Sequence, residues 1–104
     1  MSFTGNETHS ISLQDASDLT ANYRNASAPG AIKGFYFSKS AIENILDQTE
    51  CVGIRIYYGQ DDLGAPKLVI TGVEANEDDI DTGSLAEYGI SCPPSCGSSN
   101  PLNS

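Results

Sequence analysis

In the stretch Cys51-Val-Gly-Ile-Arg-Ile-Tyr-Tyr58, the apolar residues Val52, Ile54, Ile56 and Tyr58 alternate strictly with Gly53, Arg55 and Tyr57. A period of two sends successive side chains to opposite faces of a pleated backbone, so this stretch is predicted to be a strand with one sheltered face. Gly59 to Pro66 holds two glycines, a proline and the pair Asp61 and Asp62, which turns the chain back into Lys67-Leu-Val-Ile-Thr-Gly-Val73. The two segments are therefore expected to form a β-hairpin. With Leu68 and Ile70 on the sheltered face beside Ile54 and Ile56, the residues Val69, Thr71 and Val73 fall on the opposite face with Arg55 and Tyr57. That second face is mixed, not polar, and in so small a fold something has to cover it.

Two helices and a short strand are predicted before the hairpin. Ser12 can cap a helix with Asp15 three residues later, and Leu13, Ala16, Leu19, Thr20 and Tyr23 recur at helical spacing, which predicts a helix from Leu13 to about Asn25. Ala26-Ser-Ala-Pro-Gly30 breaks it, and an aromatic strand is expected over Ile32 to Phe37. Ser40 with Glu43 reads as a second capping box, and Ile42, Ile45 and Leu46 follow as a narrow stripe, predicting a short helix over about Ser40 to Gln48. After the hairpin, five of the eight residues from Glu74 to Asp81 are acidic, Ser84 to Tyr88 is a weak segment, and a Pro/Ser/Cys tail closes the sequence. No internal repeat is present. The fold class is α+β: a small antiparallel sheet, made of the aromatic strand and the hairpin, packed with two short helices and followed by an extended tail.

A length of 104 residues and 38% hydrophobic content fit one domain, 1–104, with a thin core. A formal charge of -9 has the wrong sign for neutralising phosphates or anionic lipid headgroups, so neither nucleic acid nor a membrane is expected as a partner. The apolar runs are too short for a membrane helix, and residues 1–20 have no basic region followed by an apolar one, so the expected location is cytoplasmic. The Asn6 and Asn25 glycosylation patterns are discounted on the same ground.

Chemistry-bearing residues are few. His9 is the single histidine, so a histidine base would have to act from there, and no Gly-x-Ser-x-Gly elbow occurs. Three cysteines, Cys51, Cys92 and Cys96, could join His9 in a zinc site, but the ligand spacing argues against it; free thiols in a reducing compartment, or a Cys92–Cys96 disulfide in an oxidising one, are the other readings. The acidic run does not fit a calcium loop, because placing Gly83 sixth puts Ile80 at a ligand position and leaves no glutamate twelfth. Phosphate-cradling glycine motifs are absent, and Asp61 and Asp62 stand in a turn, where aspartate is favoured for local hydrogen bonds. No catalytic, metal or cofactor-binding residue is assigned.

The opening Ser2-Phe-Thr-Gly-Asn-Glu7, Asn22-Tyr-Arg24, Cys51 to Tyr58, Leu68-Val-Ile70, Cys92-Pro-Pro-Ser-Cys96 and Asn100-Pro-Leu-Asn103 give the chain a resemblance, over nearly its whole length, to a group of short, functionally uncharacterised proteins of Bacteroidota, flavobacteria especially. The resemblance implies a bacterial origin, one compact domain and a tail, 91–104, that is an ordered part of the fold; it carries no catalytic residue across. The expected function is a non-catalytic interaction or self-assembly module, whose partner is another copy of the chain or another protein. Its candidate interaction residues are Arg55, Tyr57, Val69, Thr71 and Val73 on the hairpin and Cys92, Cys96 and Leu102 in the tail, with the tail packed between subunits. The alternative is a small metal- or thiol-dependent protein using Cys51, Cys92, Cys96 and His9.

Overall fold

Serines at both helix starts and one long alternating hairpin set the framework. The computed structural model of the chain describes residues 2–104. In chain order its elements are α1 (Leu13–Ala26), β1 (Gly34–Tyr36), α2 (Lys39–Leu46), β2 (Cys51–Gln60), β3 (Pro66–Glu74), β4 (Leu85–Ala86) and β5 (Ile90–Cys92). The α+β class holds, with the strands divided between two antiparallel sheets, β1-β5 and β2-β3-β4. The aromatic strand thus pairs with the start of the tail and not with the hairpin. The chain gathers into two compact units, Met1–Glu7 with Phe37–Gly89, and Thr8–Tyr36 with Ile90–Ser104.

In the first unit the hairpin has the register that alternation requires: Arg55 faces Thr71, Ile56 faces Ile70, Tyr57 faces Val69 and Tyr58 faces Leu68, with one irregularity between Cys51 and Gly53. The turn is organised by Asp61, whose carboxylate accepts from the amides of Leu63 and Ala65, both at 2.9 Å. Those amides, Ala65 first, hold its carboxyl below the ordinary range. Helix α2 starts two residues earlier than the capping-box pattern suggests, because Ser38 and not Ser40 is the cap: its hydroxyl accepts from the Ala41 amide at 3.1 Å. The helix lays Ile45 onto Ile70 and Ala86, with Phe37 and Ile42 packed at the margin of this small core. Gln48, just past the helix, donates to the Ile45 carbonyl and accepts from the Ser84 amide, tying α2 to the loop before β4.

The sheltered face is less sheltered than its alternation predicts. Ile70 is 2% exposed, but Ile54 is 38%, Ile56 50% and Tyr58 96% exposed. The reason is position in the sheet: β3 is central and has a neighbour on each side, whereas β2 is an outer strand. A helix as short as α2 covers the middle of the sheet and leaves the outer strand's apolar row at the surface.

The second unit joins β1 to β5, with Gly34 opposite Cys92 and Tyr36 opposite Ile90. Ser12 caps α1, accepting from the Asp15 amide at 3.0 Å, and Arg24 stands in the last turn, the favourable end of the helix dipole for a cation. Residues 93–104 coil back on this unit. Arg24 donates to the carbonyls of Leu102 and Ser104, both at 2.7 Å, Lys33 donates to the carbonyl of Asn103, and the Asn103 side-chain amide donates to Cys96 and Ser98. Cys92 and Cys96 are joined by a disulfide.

Candidate interaction surface

The mixed hairpin face is covered by its own chain. After β3 the acidic loop folds back beside it, so that Asp79 bridges to Val73 and the Ile80 amide donates to the Gly72 carbonyl at 2.8 Å. From there the Asp79 carboxylate reaches across β3 to β2, where it accepts from both the Arg55 guanidinium and the Tyr57 hydroxyl. The β3 residues crossed on that face are Thr71 and Val73, and they are 3% and 2% exposed. The Thr71 hydroxyl is satisfied by the carbonyls of Gly72 at 3.2 Å and Ile80 at 3.4 Å. Arg55 also donates to the Glu77 carbonyl at 3.2 Å, and its guanidinium carbon lies 6.0 Å from the Phe3 ring centroid.

The N-terminal segment completes this cover. The Phe3 amide donates to the Ala75 carbonyl at 2.8 Å, and Gly5 passes so close to Val52 that a Cβ there would meet the Val52 carbonyl oxygen at 3.0 Å. Gly5 also has φ of 83°, so a side chain is disfavoured there by space and by backbone conformation together.

Of the residues expected to meet a partner, Thr71 and Val73 are buried, Val69 is half-buried and Arg55 is engaged inside the unit; Tyr57 keeps a partly exposed ring. Within the single chain Thr71 and Val73 lie under the acidic loop, and the sequence does not announce that cover. The loop that covers them is acidic and without periodicity, which reads as solvated, while its single useful carboxylate, Asp79, is indistinguishable in sequence from Asp78 and Asp81. In the tail, Cys92 and Cys96 are spent on each other, and the Leu102 carbonyl is held by Arg24 while its side chain stays partly exposed.

The Arg55–Tyr57–Asp79 group is electrostatically coupled. The Tyr57 hydrogen bond, opposed by desolvation and helped by Arg55, lowers the Asp79 carboxyl. The same bond raises the Tyr57 hydroxyl. The arrangement suits a structural tie.

Cys51 is the free cysteine, half-buried, with its thiol 3.2 Å from the Gly53 carbonyl, and the other two are oxidised. Among the described residues no three His, Cys, Asp or Glu side chains stand together as a metal-binding group. In the second unit a shallow cleft is lined by Arg24, Ser27, Pro29, Lys33 and Pro93, but both of its cations already point at carbonyls of residues 102–104.

Exposed apolar side chains occur along the whole chain, among them Leu19, Tyr23, Leu85 and Tyr88, and on β2 they fall in a row. Ile54, Ile56 and Tyr58 form an apolar row along the outer strand, and Leu63 is 95% exposed at the turn beyond it. No sequence signal distinguishes this row from a core face, since the same alternation serves both. No protein-family model, no curated protein and no solved structure matches the chain. No helix among the described residues is long and apolar enough to cross a membrane.

Proposed function

We propose that the chain is a non-catalytic protein-interaction module that works by self-assembly. The observation that carries this reading is the exposed apolar row Ile54, Ile56 and Tyr58 on an outer strand, which a fold with so small a core leaves in water. Contiguous apolar surface of this kind marks interaction sites, and tyrosine is over-represented among the residues that carry binding energy in them. We put the assembly surface on the hairpin, because the tail, expected to pack between subunits, is bonded within its own unit. The net charge of -9 continues to disfavour nucleic acid and anionic lipid as partners.

The Cys92–Cys96 disulfide favours an oxidising compartment over the cytoplasm, because thiols are kept reduced there. Light scattering of the intact chain across the micromolar range tests the main reading. More than one chain per particle, with the same number of chains after residues 91–104 are deleted, supports it. A mass of one chain at every concentration overturns it.

A further inference from the structure

The outer edge of β2 is the least finished part of the first unit. β3 pairs with it on one side only, and among the described residues the backbone groups of residues 53–60 make no hydrogen bond to backbone beyond that ladder. Proteins ordinarily blunt such edges with proline, lysine, very short strands or bulges. Residues 53–60 hold neither proline nor lysine, and the one irregularity lies at the strand's start. The strand's single charge, Arg55, is compensated by Asp79 within the unit.

We propose that a second copy of this chain pairs with this edge, β2 against β2 in antiparallel fashion, about a two-fold axis through Ile56. This deepens the self-assembly reading and rests on it. In that register Ile56 faces Ile56, Ile54 faces Tyr58, Arg55 faces Tyr57 and Gly53 faces Gly59, each pair occurring between the two copies. β-Branched against aromatic side chains is a favourable cross-strand combination, and on the other face each guanidinium meets a tyrosine ring. No like charges stand opposite each other in this register, since each Arg55 faces a tyrosine and keeps its own Asp79.

Neighbouring registers lose this match. Centring on Arg55 sets two guanidiniums opposite each other, centring on Tyr57 keeps an Ile56–Tyr58 pair but sets Arg55 against Gly59 and Ile54 against Gln60, centring on Ile54 sets Tyr58 against Glu50, and centring on Tyr58 sets Ile54 against Asp62. The Ile56 register also uses nearly the whole strand, pairing Val52 with Gln60 at its limits.

The test is a cysteine placed on the axis. In a Cys51→Ser background, Ile56→Cys brings two thiols within the roughly 5 Å Cα separation of directly opposed antiparallel residues, which a disulfide spans. Mild oxidation is expected to convert this variant to a covalent dimer. Tyr88→Cys, exposed and beyond β4 at the opposite edge of the sheet, is expected to remain a single chain. Amide exchange of the unsubstituted chain supplies a second readout, with residues 53–60 gaining protection as concentration rises. Association by light scattering without Ile56→Cys cross-linking, or without added protection on β2, overturns the edge pairing and leaves self-assembly standing. A single-chain mass throughout overturns both.

Discussion

Tyr57 donates its hydroxyl to the carboxylate of Asp79, a residue 22 positions away, and the same carboxylate receives the Arg55 guanidinium. One side chain from a loop thereby fastens two residues of the outer strand across the central one. The pH dependence of this tie has two arms. The Asp79 carboxyl is lowered in the fold, so its contribution is complete above the ordinary value of 3.8 and is lost as pH falls through the lowered one. The Tyr57 hydroxyl is raised, so its contribution is complete below the ordinary value of 10.0 and is lost as pH rises through the raised one. Asp79→Asn is expected to lower Tm at neutral pH, with the difference from the parent shrinking below the ordinary carboxylate range. Tyr57→Phe is expected to remove the alkaline arm. Thermal melts across pH check both, and a constant difference for Asp79→Asn down to strongly acidic pH would refute the assignment.

Ile45 is 1% exposed and is the buried residue of α2, packed onto Ile70 of the central strand and Ala86 of β4. Truncating a buried isoleucine removes its transfer free energy and leaves a cavity, a loss of about 2–5 kcal/mol. In a core of this size, Ile45→Ala is expected to unfold the hairpin unit at moderate temperature, whereas Leu46→Ala, on the exposed side of the same helix, should shift the melt little. Denaturant titration distinguishes the two.

Helix α2 supplies a sharper comparison, since Ser38 and Ser40 are both plausible caps by composition. The Ser38 hydroxyl accepts from the Ala41 amide, and removing such a cap costs about 1 kcal/mol. Ser38→Ala should therefore destabilise the first unit, and Ser40→Ala should be close to neutral. Equal effects in chemical denaturation would show that the helix begins elsewhere.

Parity explains why so much of the hairpin could be read in advance. A period of two fixes which residues share a face, and Ile56 with Ile70 and Arg55 with Thr71 are paired as alternation requires. What alternation does not encode is which face is covered. Thr71 and Val73 are buried by Asp79, a neighbour delivered by a loop, while Ile54 and Ile56 are left partly open because their strand has no outer neighbour. The capping-box rule likewise favoured Ser40, having Glu43 three residues on, although Ser38 holds the helix start. The pairing of β1 with β5 was hidden for another reason. β1 was legible as an aromatic strand, but its partner β5 is three residues running into Pro93 and carries too little pattern to register, and what holds the tail, the donors of Arg24 and Lys33 on backbone carbonyls, depends on carbonyl positions and not on residue type.

The disulfide makes the state of the tail measurable. The chain has three cysteines, of which Cys51 is free and Cys92 is bonded to Cys96. Thiol titration of the unfolded, unreduced protein is therefore expected to give one equivalent, and titration after reduction to give three. Chain-entropy arguments assign about 2 kcal/mol to closing a loop as short as this one, less than is usual for longer loops. That effect falls on the second unit, where α1 has no buried residue and the tail is held by hydrogen bonds to Arg24 and Lys33. Cys92→Ser with Cys96→Ser should thus speed amide exchange in residues 90–104 and leave β2 and β3 unchanged. Slowing of exchange, or equal loosening of the hairpin, would contradict the division of the chain into two units on which this expectation depends.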